Sequence, residues 1–374
     1  MQDLRTKRGL EIANKANQIQ RINDSSYKVK SQSRDEYYEI LSSSGLGWIC
    51  SCPDHMYRGV TCKHIHAVTI SLELRKKVER EIVTIQPINI NKCPQCKSEE
   101  IVKHGIRHNK SGDIQRYTCR NCYKRFSINL GFERMRATPT IITSAIQLYF
   151  TGESFRNIHK FLRLQGVTVS HMAVYKWINK YVVLMDKYLE KITPNVSDVW
   201  RTDELYLKVK GDKKYLFALM DDETRFWIAQ QVADKKNTSD IQPLLKEGKD
   251  IAKKKPQVLI SDGAPNFHDA YKKEYWTLKN PRTKHIQHIR LQGDVHNNKM
   301  ERLNGEIRDR KKTMRGLKKT NTSILKGYQI YHNYVREHEA LNGQTPAEKC
   351  GIEIEGENKW ITLIQNSSYQ EECK

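Results

Sequence analysis

The cysteines of this chain are distributed very unevenly: seven of the nine lie between residues 50 and 122. Cysteines that cluster in pairs with histidine are typical of metal sites in proteins whose thiols stay reduced. A metal-bound module needs little hydrophobic core, because ligation supplies much of its folding free energy. The first third of the chain is therefore predicted to form small metal-bound modules. Cys350 and Cys373 are interpreted as ordinary small apolar residues.

The first predicted module contains Cys50-Ser-Cys52 and, after a loop, Cys62-Lys-His64. Short β-prone segments precede the first pair, and helical spacing begins at His64, so the four side chains fit a zinc site between a hairpin and a helix. The pattern Cys-x-Cys followed by Cys-x-His resembles the SWIM zinc finger, a module associated with DNA or protein binding. A SWIM-type module is thus predicted at about residues 27–75, within an N-terminal region 1–88.

The second predicted module is a zinc ribbon over residues 89–130. Cys93 and Cys96 form one Cys-x-x-Cys pair, and Cys119 and Cys122 form another after twenty-two intervening residues. Two such pairs at this separation favour tetrahedral thiolate ligation of zinc. A redox dithiol is the alternative, but the presence of a second pair and the lack of a βαβ pattern argue against it.

Helical spacing dominates residues 135–192 and predicts a helix-turn-helix. Ser154 and Ser170 precede the second and third helices as N-cap candidates. The last helix of such a motif enters the major groove of DNA. Lys176, Asn179 and Lys180 are therefore predicted DNA contacts. An ordinary helical hairpin is the alternative interpretation.

The net charge of the chain is +22, with an isoelectric point near 9.5. Such a charge attracts polyanions. Membranes are also anionic, but no run approaches the roughly 18 apolar residues of a spanning helix. Nucleic acid is therefore the predicted partner, no membrane is predicted, and a cytoplasmic, nucleoid-associated location is expected.

Three carboxylates, Asp203, Asp262 and Glu301, are the candidate catalytic residues. Asp203 lies in an alternating strand over residues 199–209, and Asp262 follows the apolar strand 258–261. Glu301 lies in a basic stretch with helical spacing. Carboxylates brought together from two strands and a covering helix can hold two divalent ions roughly 4 Å apart, an arrangement used in phosphoryl transfer.

Other carboxylates near these three are interpreted differently. Glu204, Asp221 and Asp222 lie beside strands or in a turn, where acidic residues are usually solvated. Glu306 is five residues from Glu301, about 140° around a helix, so both cannot point into one site.

The order of elements after residue 195 predicts an α/β core of ribonuclease-H-like fold over 195–350, with a tail at 351–374. Three antiparallel strands precede alternating helices and strands, which gives an integrase-type mixed five-stranded sheet with flanking helices. The preceding region adds the small zinc modules and the α-helical helix-turn-helix. A last helix is predicted from about residue 322 to 341.

Residues 91–350 resemble the DDE transposases of prokaryotic insertion sequences. The motifs that carry this resemblance are Trp200-Arg-Thr-Asp203-Glu, Leu259-Ile-Ser-Asp262-Gly and Asn297-Asn-Lys-Met-Glu301-Arg-Leu-Asn-Gly. The resemblance implies that Asp203, Asp262 and Glu301 are metal ligands and that Arg308 is the basic residue seven places after the glutamate. An N-terminal SWIM-type module is a departure, because many such transposases begin at the zinc ribbon.

The expected cofactors are two Mg²⁺ ions, or Mn²⁺, in the active site and two structural Zn²⁺ ions. The basic run from Arg302 to Lys319, including Arg308, Lys311 and Lys312, predicts a groove for the DNA backbone, with a solvated helix face as the alternative.

The resemblance implies a homo-oligomer acting on double-stranded DNA, at terminal inverted repeats and at a target. Two alternatives remain: a zinc-dependent DNA-binding regulator with an inactive nuclease-like domain, and a structure-specific nuclease of the same fold.

Overall fold

The computed structural model describes residues 4–15, 18–23, 25–43, 47–78, 82–88, 92–109, 112–127, 130–278, 282–287, 298–312, 317 and 323–372. The chain divides into two compact units, Met1–Glu81 and Ile82–Lys374. The first unit ends before the predicted boundary at residue 88, because residues 83–85 form a strand of the second unit. None of the helices in the described ranges is long and apolar enough to cross a membrane.

The first unit is a four-stranded antiparallel sheet with three helices. The chain order is α1 (Leu4–Ala13), β1 (Ile19–Asn23), β2 (Ser26–Lys30), β3 (Tyr37–Ser43), β4 (Gly47–Cys50), α2 (Pro53–Arg58) and α3 (Lys63–Val78). The strands pair in sequential order. The small core places Tyr27, Val29 and Ile40 against the cysteines of the first module. This unit therefore builds its core around its candidate metal ligands.

The second unit begins with strand β5 (Val83–Ile85) and a three-stranded antiparallel sheet. The strands of that sheet are β6 (Ile101–Asn109), β7 (Gly112–Cys119) and β8 (Arg125–Ser127). Cys93 and Cys96 precede β6, whereas Cys119 ends β7 and Cys122 lies in the turn before β8. The hairpin pairing thus returns the second cysteine pair to the first.

Three helices follow, as predicted: α4 (Pro139–Thr151), α5 (Phe155–Leu164) and α6 (His171–Leu189). The hydroxyls of Ser154 and Ser170 accept hydrogen bonds from the third residue of their helices, which confirms both as N-caps. The buried stripe of α6 includes Val174, Ile178 and Tyr181. These side chains hold the three helices together in the main core of the unit.

The central sheet has the strand order β11-β10-β9-β12-β13. Its strands are β9 (Val199–Val209), β10 (Asp212–Asp221), β11 (Trp227–Ala233), β12 (Val258–Ser261) and β13 (Lys284–Gln287). The first three strands are antiparallel, while β12 runs parallel to β9, and β13 runs parallel to β12. This order and these directions confirm the predicted ribonuclease-H-like fold.

Helices cover both faces of this sheet: α7 (Thr238–Ala252), α8 (Pro265–Glu274), α9 (Asn298–Lys311) and α10 (Ser323–Ile330). Phe267 of α8 packs on Phe217, which is the partner of Glu204 in the ladder. Asn304 of α9 contacts Asp203 instead. Asp203 and Glu204 are consecutive in β9, so their side chains face opposite sides of the sheet. Helices α8 and α9 therefore lie on opposite faces.

The predicted single helix over 322–341 is wrong beyond Ile330. A π-helical turn, Tyr331–Val335, follows α10, and a short 3₁₀ turn spans Glu339–Leu341. The Asn333 amide accepts from the backbone N–H of Trp227 at 2.8 Å and donates to the Trp227 carbonyl at 2.9 Å. β11 is an edge strand, so no further strand of the described residues bonds to its outer backbone groups. The Asn333 side chain bonds to these groups instead, which accounts for the irregular turn.

The region predicted only as a tail, 351–374, is instead structured over much of its length. Helix α11 (Pro346–Lys349) leads to β14 (Ile352–Ile354), which pairs in parallel with β5, and then to α12 (Lys359–Glu372). Trp360, Leu363 and Ile364 are buried in the main core. The partner strand of β14, β5, lies more than 260 residues earlier in the chain, so local sequence did not reveal this packing.

Close backbone approach joins α10 to the three-helix region. A Cβ atom added at Gly327 would lie 2.4 Å from Phe150 Cζ and 2.7 Å from Val182 Cγ2. Glycine at this position therefore permits α10 to pack directly on α4 and α6. The helices of the predicted DNA-binding region and the central sheet share one hydrophobic core.

Candidate active site and zinc-ligand clusters

Cys50, Cys52, Cys62 and His64 form a buried group in the first unit, with ligand atoms within 4.8 Å of one another. Nδ1 of His64 lies 3.9 Å from the Sγ atoms of Cys50 and of Cys62. Tetrahedral Zn²⁺ with bonds of about 2.0–2.3 Å places its ligand atoms roughly 3.3–3.8 Å apart. Three thiols and an imidazole at these separations form a donor set that fits zinc.

Cys93, Cys96, Cys119 and Cys122 form the second group, again with Sγ atoms within 4.8 Å. The Sγ distances are 3.6 Å between Cys93 and Cys122 and 3.5 Å between Cys96 and Cys119. The structure thus brings together all eight predicted zinc-ligand side chains in two sets of four.

Asp203 and Asp262 converge in the central sheet, and Glu204 joins them, with one oxygen of each carboxylate within 4.8 Å of the others. Asp203 lies in β9 at the point where the parallel strand β12 ends, and Asp262 follows that end directly. Beyond Ser261, β12 no longer covers the edge of β9, so carboxylates from neighbouring strands can meet there. The predicted convergence of Asp203 and Asp262 is therefore present.

The Asp203 carboxylate is held by two hydrogen bonds. Its Oδ1 accepts from the backbone N–H of Glu204 at 2.9 Å, and its Oδ2 accepts from Asn304 Nδ2 at 2.7 Å. Burial raises the pKa of Asp203 to about 7; the charges of Glu204 and Asp262 add to the rise, and the N–H of Glu204 and the charge of Arg308 oppose it. A group of carboxylates with this electrostatic character is a donor set that fits divalent cations with oxygen ligands.

The backbone before Asp262 is supported by a chain of polar side chains. Ser261 is fully buried, and its Oγ lies 2.9 Å from His285 Nε2. Nδ1 of His285 lies 3.0 Å from Nδ1 of His268 on α8. The Asp262 carboxylate itself accepts from the backbone N–H of Ala264 at 3.1 Å. Asp262 is thus exposed directly after β12. The last residue of β12, Ser261, contacts His285 of β13, which in turn contacts His268 of α8.

Glu301 lies in the first turn of α9 and is exposed. Its carboxylate is not among the three that converge in the described part of the chain. Asn304 follows Glu301 by three residues, so the two share a helix face, and Asn304 donates to Asp203. Arg308 is close enough to affect the pKa of Asp203. The face of α9 that carries Glu301 therefore covers Asp203, and the role of Glu301 as a ligand stays a prediction.

The first turn of α9 is anchored by Asp222. Lys299 Nζ donates to the Asp222 carbonyl at 2.8 Å and to its carboxylate at 2.9 Å. The buried Arg201 pairs with the same carboxylate. Burial alone would raise the pKa of Asp222, but the hydrogen bonds from Arg201 and Lys299 lower it below its usual value. Asp222 is therefore an internal anchor, and its interpretation as a solvated residue is wrong.

Asp221 is also not solvated: it is fully buried. Its carboxylate accepts from the backbone N–H and hydroxyl of both Ser197 and Thr224. Glu306 pairs with Arg336 at 2.5 and 2.9 Å and is not among the described carboxylates that converge with Asp203.

The predicted basic groove after Glu301 is only partly exposed. Lys312 is exposed and pairs with Asp309, while Lys311 Nζ donates to the Tyr206 carbonyl at 3.0 Å. Arg310 is buried, and its guanidinium lies 4.2 Å from the ring centroid of Tyr149 on α4. Arg310 thus packs internally rather than lining a groove. Of the run beyond Lys312, only Leu317 lies within the described residues.

The predicted contacts on α6 differ in their surroundings. Lys176 and Lys180 are exposed. Asn179 is half-buried; its Nδ2 donates to the Tyr175 carbonyl at 2.8 Å, and its Oδ1 accepts from Ser323 Oγ at 2.7 Å. The two lysines are available to a ligand, whereas the Asn179 amide is already engaged within the protein.

Asn304 was not identified from the sequence, and the interpretation of Glu204 as a solvated carboxylate is wrong, because its side chain is only 11% exposed. Asn304 is buried against Asp203, and its spacing of three residues from Glu301 was the available signal. Glu204 pairs with Lys236, which lies in the connection between β11 and α7. No sequence pattern links Glu204 to Lys236, because only the sheet brings them together.

Comparisons with known proteins agree with this geometry. A family model described as a DDE domain, of the IS240 transposase type, matches residues 197–338. Two relatives from Staphylococcus aureus are the transposase for the insertion sequence-like element IS431mec and the transposase for the insertion sequence element IS257 in transposon Tn4003. Each is 29% identical over 234 residues, which covers 59% of this chain and 97% of the relative.

Similar solved structures include the HTLV-2 integrase catalytic core domain in complex with magnesium, in its trimeric form. It is 18% identical, has a TM-score of 0.31, and covers 42% of this chain and 98% of that chain. A simian T-cell lymphotropic virus intasome in complex with PP2A regulatory subunit B56 gamma is 13% identical and has a TM-score of 0.33. The match covers 55% of this chain and 73% of that chain. Residues 197–338 are thus similar to a DDE domain, and a longer part of the chain is similar to transposases of insertion sequences.

Proposed function

We propose that this protein is the transposase of an insertion sequence. It binds double-stranded DNA at the terminal inverted repeats of its element, cuts a phosphodiester bond at the element end and joins the freed 3′-hydroxyl to target DNA. The observation that carries this proposal is the convergence of Asp203 and Asp262 within 4.8 Å inside the DDE domain. Carboxylates in this arrangement favour metal-dependent phosphoryl transfer.

Asp203, Asp262 and Glu301 are the proposed ligands of two Mg²⁺ ions, for which Mn²⁺ can substitute. When bound, such ions activate the attacking oxygen and stabilise the leaving oxygen. Asn304 orients Asp203 through its 2.7 Å hydrogen bond, and Arg308 places a positive charge beside it. Glu204 lies closer than Glu301 to Asp203 and Asp262. Glu301 is nevertheless the proposed third ligand, because the Glu204 carboxylate is already paired with Lys236.

The proposed chemistry needs no covalent bond to the protein. In the cutting step an oxygen of water forms a bond to phosphorus, and the bond from phosphorus to the 3′-oxygen breaks. In the joining step the 3′-hydroxyl oxygen attacks a target phosphate and displaces another 3′-oxygen. Each step therefore exchanges one phosphorus–oxygen bond for another: the nucleophile gives its proton to solvent, and the leaving 3′-oxygen takes up a proton from solvent.

The remaining parts of the chain are proposed to find and hold DNA. Two structural Zn²⁺ ions bind the two ligand groups, the first of which has the SWIM-type pattern. The exposed Lys176 and Lys180 contact DNA from α6, and Arg308, Lys311 and Lys312 contact the backbone near the active site. The protein acts as a homo-oligomer on two element ends, in the nucleoid of a prokaryotic cell.

A strand-transfer assay tests the proposal. Purified protein is mixed with labelled DNA from both ends of its element, a target plasmid and Mg²⁺, and new 3′ ends and joined products are measured. The wild type should yield both, and Asp203→Ala should reduce both by at least about 10²–10³-fold, the cost of removing one preorganised stabilising group. Binding of end DNA without Mg²⁺ should stay within a few fold.

Three outcomes contradict the proposal. Strand transfer by Asp203→Ala at the wild-type rate would exclude the assigned site. Binding of end DNA with no new 3′ ends at any Mg²⁺ concentration would favour the regulator with an inactive domain. Cutting of branched or hybrid DNA without joining, and without preference for end sequences, would favour a structure-specific nuclease.

A further inference from the structure

Arg225, in the turn between β10 and β11, has an unusual backbone conformation. Its φ is +58°, in the left-handed region that arginine seldom occupies. The Arg225 carbonyl lies 3.1 Å from Nε2 of the buried His332, and burial is the main reason that the pKa of His332 falls to about 3. A neutral His332 donates to that carbonyl and holds the conformation. Backbone strain maintained by surrounding contacts is often found at functional sites.

The Arg225 guanidinium is partly buried and makes no hydrogen bond or ion pair with the described residues. Two carboxylates are near it, but both are engaged elsewhere. Asp222 pairs with Arg201 and Lys299, and Glu306 pairs with Arg336 through both of its oxygens. Among the described residues, therefore, no carboxylate pairs with the Arg225 guanidinium.

Arg302 adds a further positive charge close to the Glu306 carboxylate. It is exposed, and its Nε lies 3.6 Å from the Glu306 carboxylate that Arg336 already binds. Burial, and next the charge of Arg302, lower the pKa of Arg225. Within the described residues, Asp222 already pairs with Arg201 and Lys299, and Glu306 already pairs with Arg302 and Arg336. The bonds from Lys299 to Asp222 join the β10–β11 turn to the start of α9, so Arg225 and Arg302 lie on two elements that meet, and their positive charges favour a bound anion.

We propose that Arg225 and Arg302 bind a phosphate of the DNA backbone next to the carboxylate group. The planar guanidinium donates pairs of N–H groups that match phosphate oxygens. Arg302 directly follows Glu301, so this phosphate lies at the start of α9, beside the face that covers Asp203. The inference rests on the proposed function, because it assigns a contact to the same DNA. It adds a second element, the β10–β11 turn, to the DNA contacts of α9.

Arg225→Asn tests this site with little change to the backbone. Asparagine occupies the left-handed region more readily than most residues, so the substitution removes the guanidinium while tolerating the turn. Binding to a labelled duplex is measured without Mg²⁺ over a series of salt concentrations. Loss of one phosphate contact should lower the slope of log Kobs against log salt by about 0.9 and weaken binding several-fold at low salt. Arg225→Lys should keep much of the slope.

Lys273→Asn is the matched control, because it removes one exposed positive charge from α8 on the opposite face of the sheet. It should leave the slope unchanged. Arg302→Gln provides a second test, because Arg302 is exposed on α9 and its substitution leaves the β10–β11 turn unchanged. The salt slope of this variant should fall as it does for Arg225→Asn. Thermal melting of each variant verifies folding.

The outcomes are distinguishable. A wild-type slope and affinity in both Arg225→Asn and Arg302→Gln would overturn the site. An equal loss in Lys273→Asn would also overturn it, because the effect would then come from net charge alone. Failure of the wild type to bind any duplex would overturn the proposed function itself, and this site with it.

Discussion

The acidic residues of the proposed active site are held in two different ways. Asp203 lies in β9, which is paired with β10 on one side and with β12 on the other, and Asp262 follows the end of β12. Glu301 lies on α9, which packs Met300, Leu303 and Ile307 into the core and is tied to the sheet by hydrogen bonds from Lys299 to Asp222 and from Asn304 to Asp203. Backbone ladders fix the strands through many cooperative bonds, whereas side-chain packing and a few polar contacts fix α9. Substitution of a polar contact of α9 can therefore shift Glu301 without breaking a strand ladder.

The largest expected effect separates Glu301 from Glu204 as the third ligand. Glu301→Gln should reduce strand transfer by about 10²–10³-fold, as expected for loss of a group that stabilises developing charge. Glu204→Gln should reduce it by less than about tenfold, because the Glu204 carboxylate is already paired with Lys236. Rates of product formation at saturating Mg²⁺ measure both. The reverse order of the two effects would assign the ligand role to Glu204.

An intermediate effect is expected from breaking the anchor of α9. Lys299→Met removes the bonds to Asp222 and should lower activity by about 10–100-fold, the usual cost of losing a group that supports a metal ligand. The half-saturating Mg²⁺ concentration should rise, which a loss of overall stability would not produce. Lys254→Met is the control, because it breaks an exposed pair with Asp198. Equal half-saturation in all three proteins would show that α9 does not depend on this anchor.

The smallest expected effect concerns stability. The folded-state pKa of Asp203, about 7, lies above its usual value of 3.8, because burial penalises the charged form. This carboxyl therefore destabilises the fold progressively as pH rises from about 4 to 7, and constantly above pH 7. Without Mg²⁺, Asp203→Asn should raise the melting temperature by a few degrees (about 2–4 °C per kcal/mol), and by more at pH 8 than at pH 6.

Glu301→Gln is the comparison for that measurement. Its carboxylate is exposed, so no similar gain in melting temperature is expected. A gain for Asp203→Asn that is equal at pH 6 and pH 8 would show that Asp203 keeps an ordinary pKa. Equal gains in the two variants would contradict the contrast between the buried strand position and the exposed helix position.

Local patterns were sufficient for much of the fold. The alternation of apolar residues predicted the strand over 199–209 and the strand over 258–261, and the structure has both with the same bounds. Ser154 and Ser170 cap their helices as predicted. The spacing of cysteines and His64 identified both four-ligand groups. The strands and the helix caps depend on residues that are close in sequence. The spacing of the cysteines and His64 fits few kinds of site other than a zinc site.

Long-range contacts decided the features that the sequence pattern missed. Arg310 resembles the other basic residues after Glu301, yet it stacks on Tyr149 from a different helix. Asp221 resembles an ordinary turn carboxylate, yet Ser197 and Thr224 bury it with hydrogen bonds. Asn179 resembles an exposed polar residue of a recognition helix, yet Ser323 binds its amide. No local periodicity encodes a partner that is tens of residues away.

The sequence by itself determined which residues are the candidates for metal binding and catalysis: the paired cysteines, His64, and the acidic residues in their three motifs. Their residue types and spacing suffice because metal ligation requires particular donor atoms. The tertiary structure alone decided that Asp203 and Asp262 meet with Glu204, that hydrogen bonds to Asp203 and Asp222 tie α9 to the sheet, and that the turn bearing Arg225 meets the start of α9. These juxtapositions arise from sheet register and helix packing, which depend on the summed contacts of the whole unit and not on any short segment.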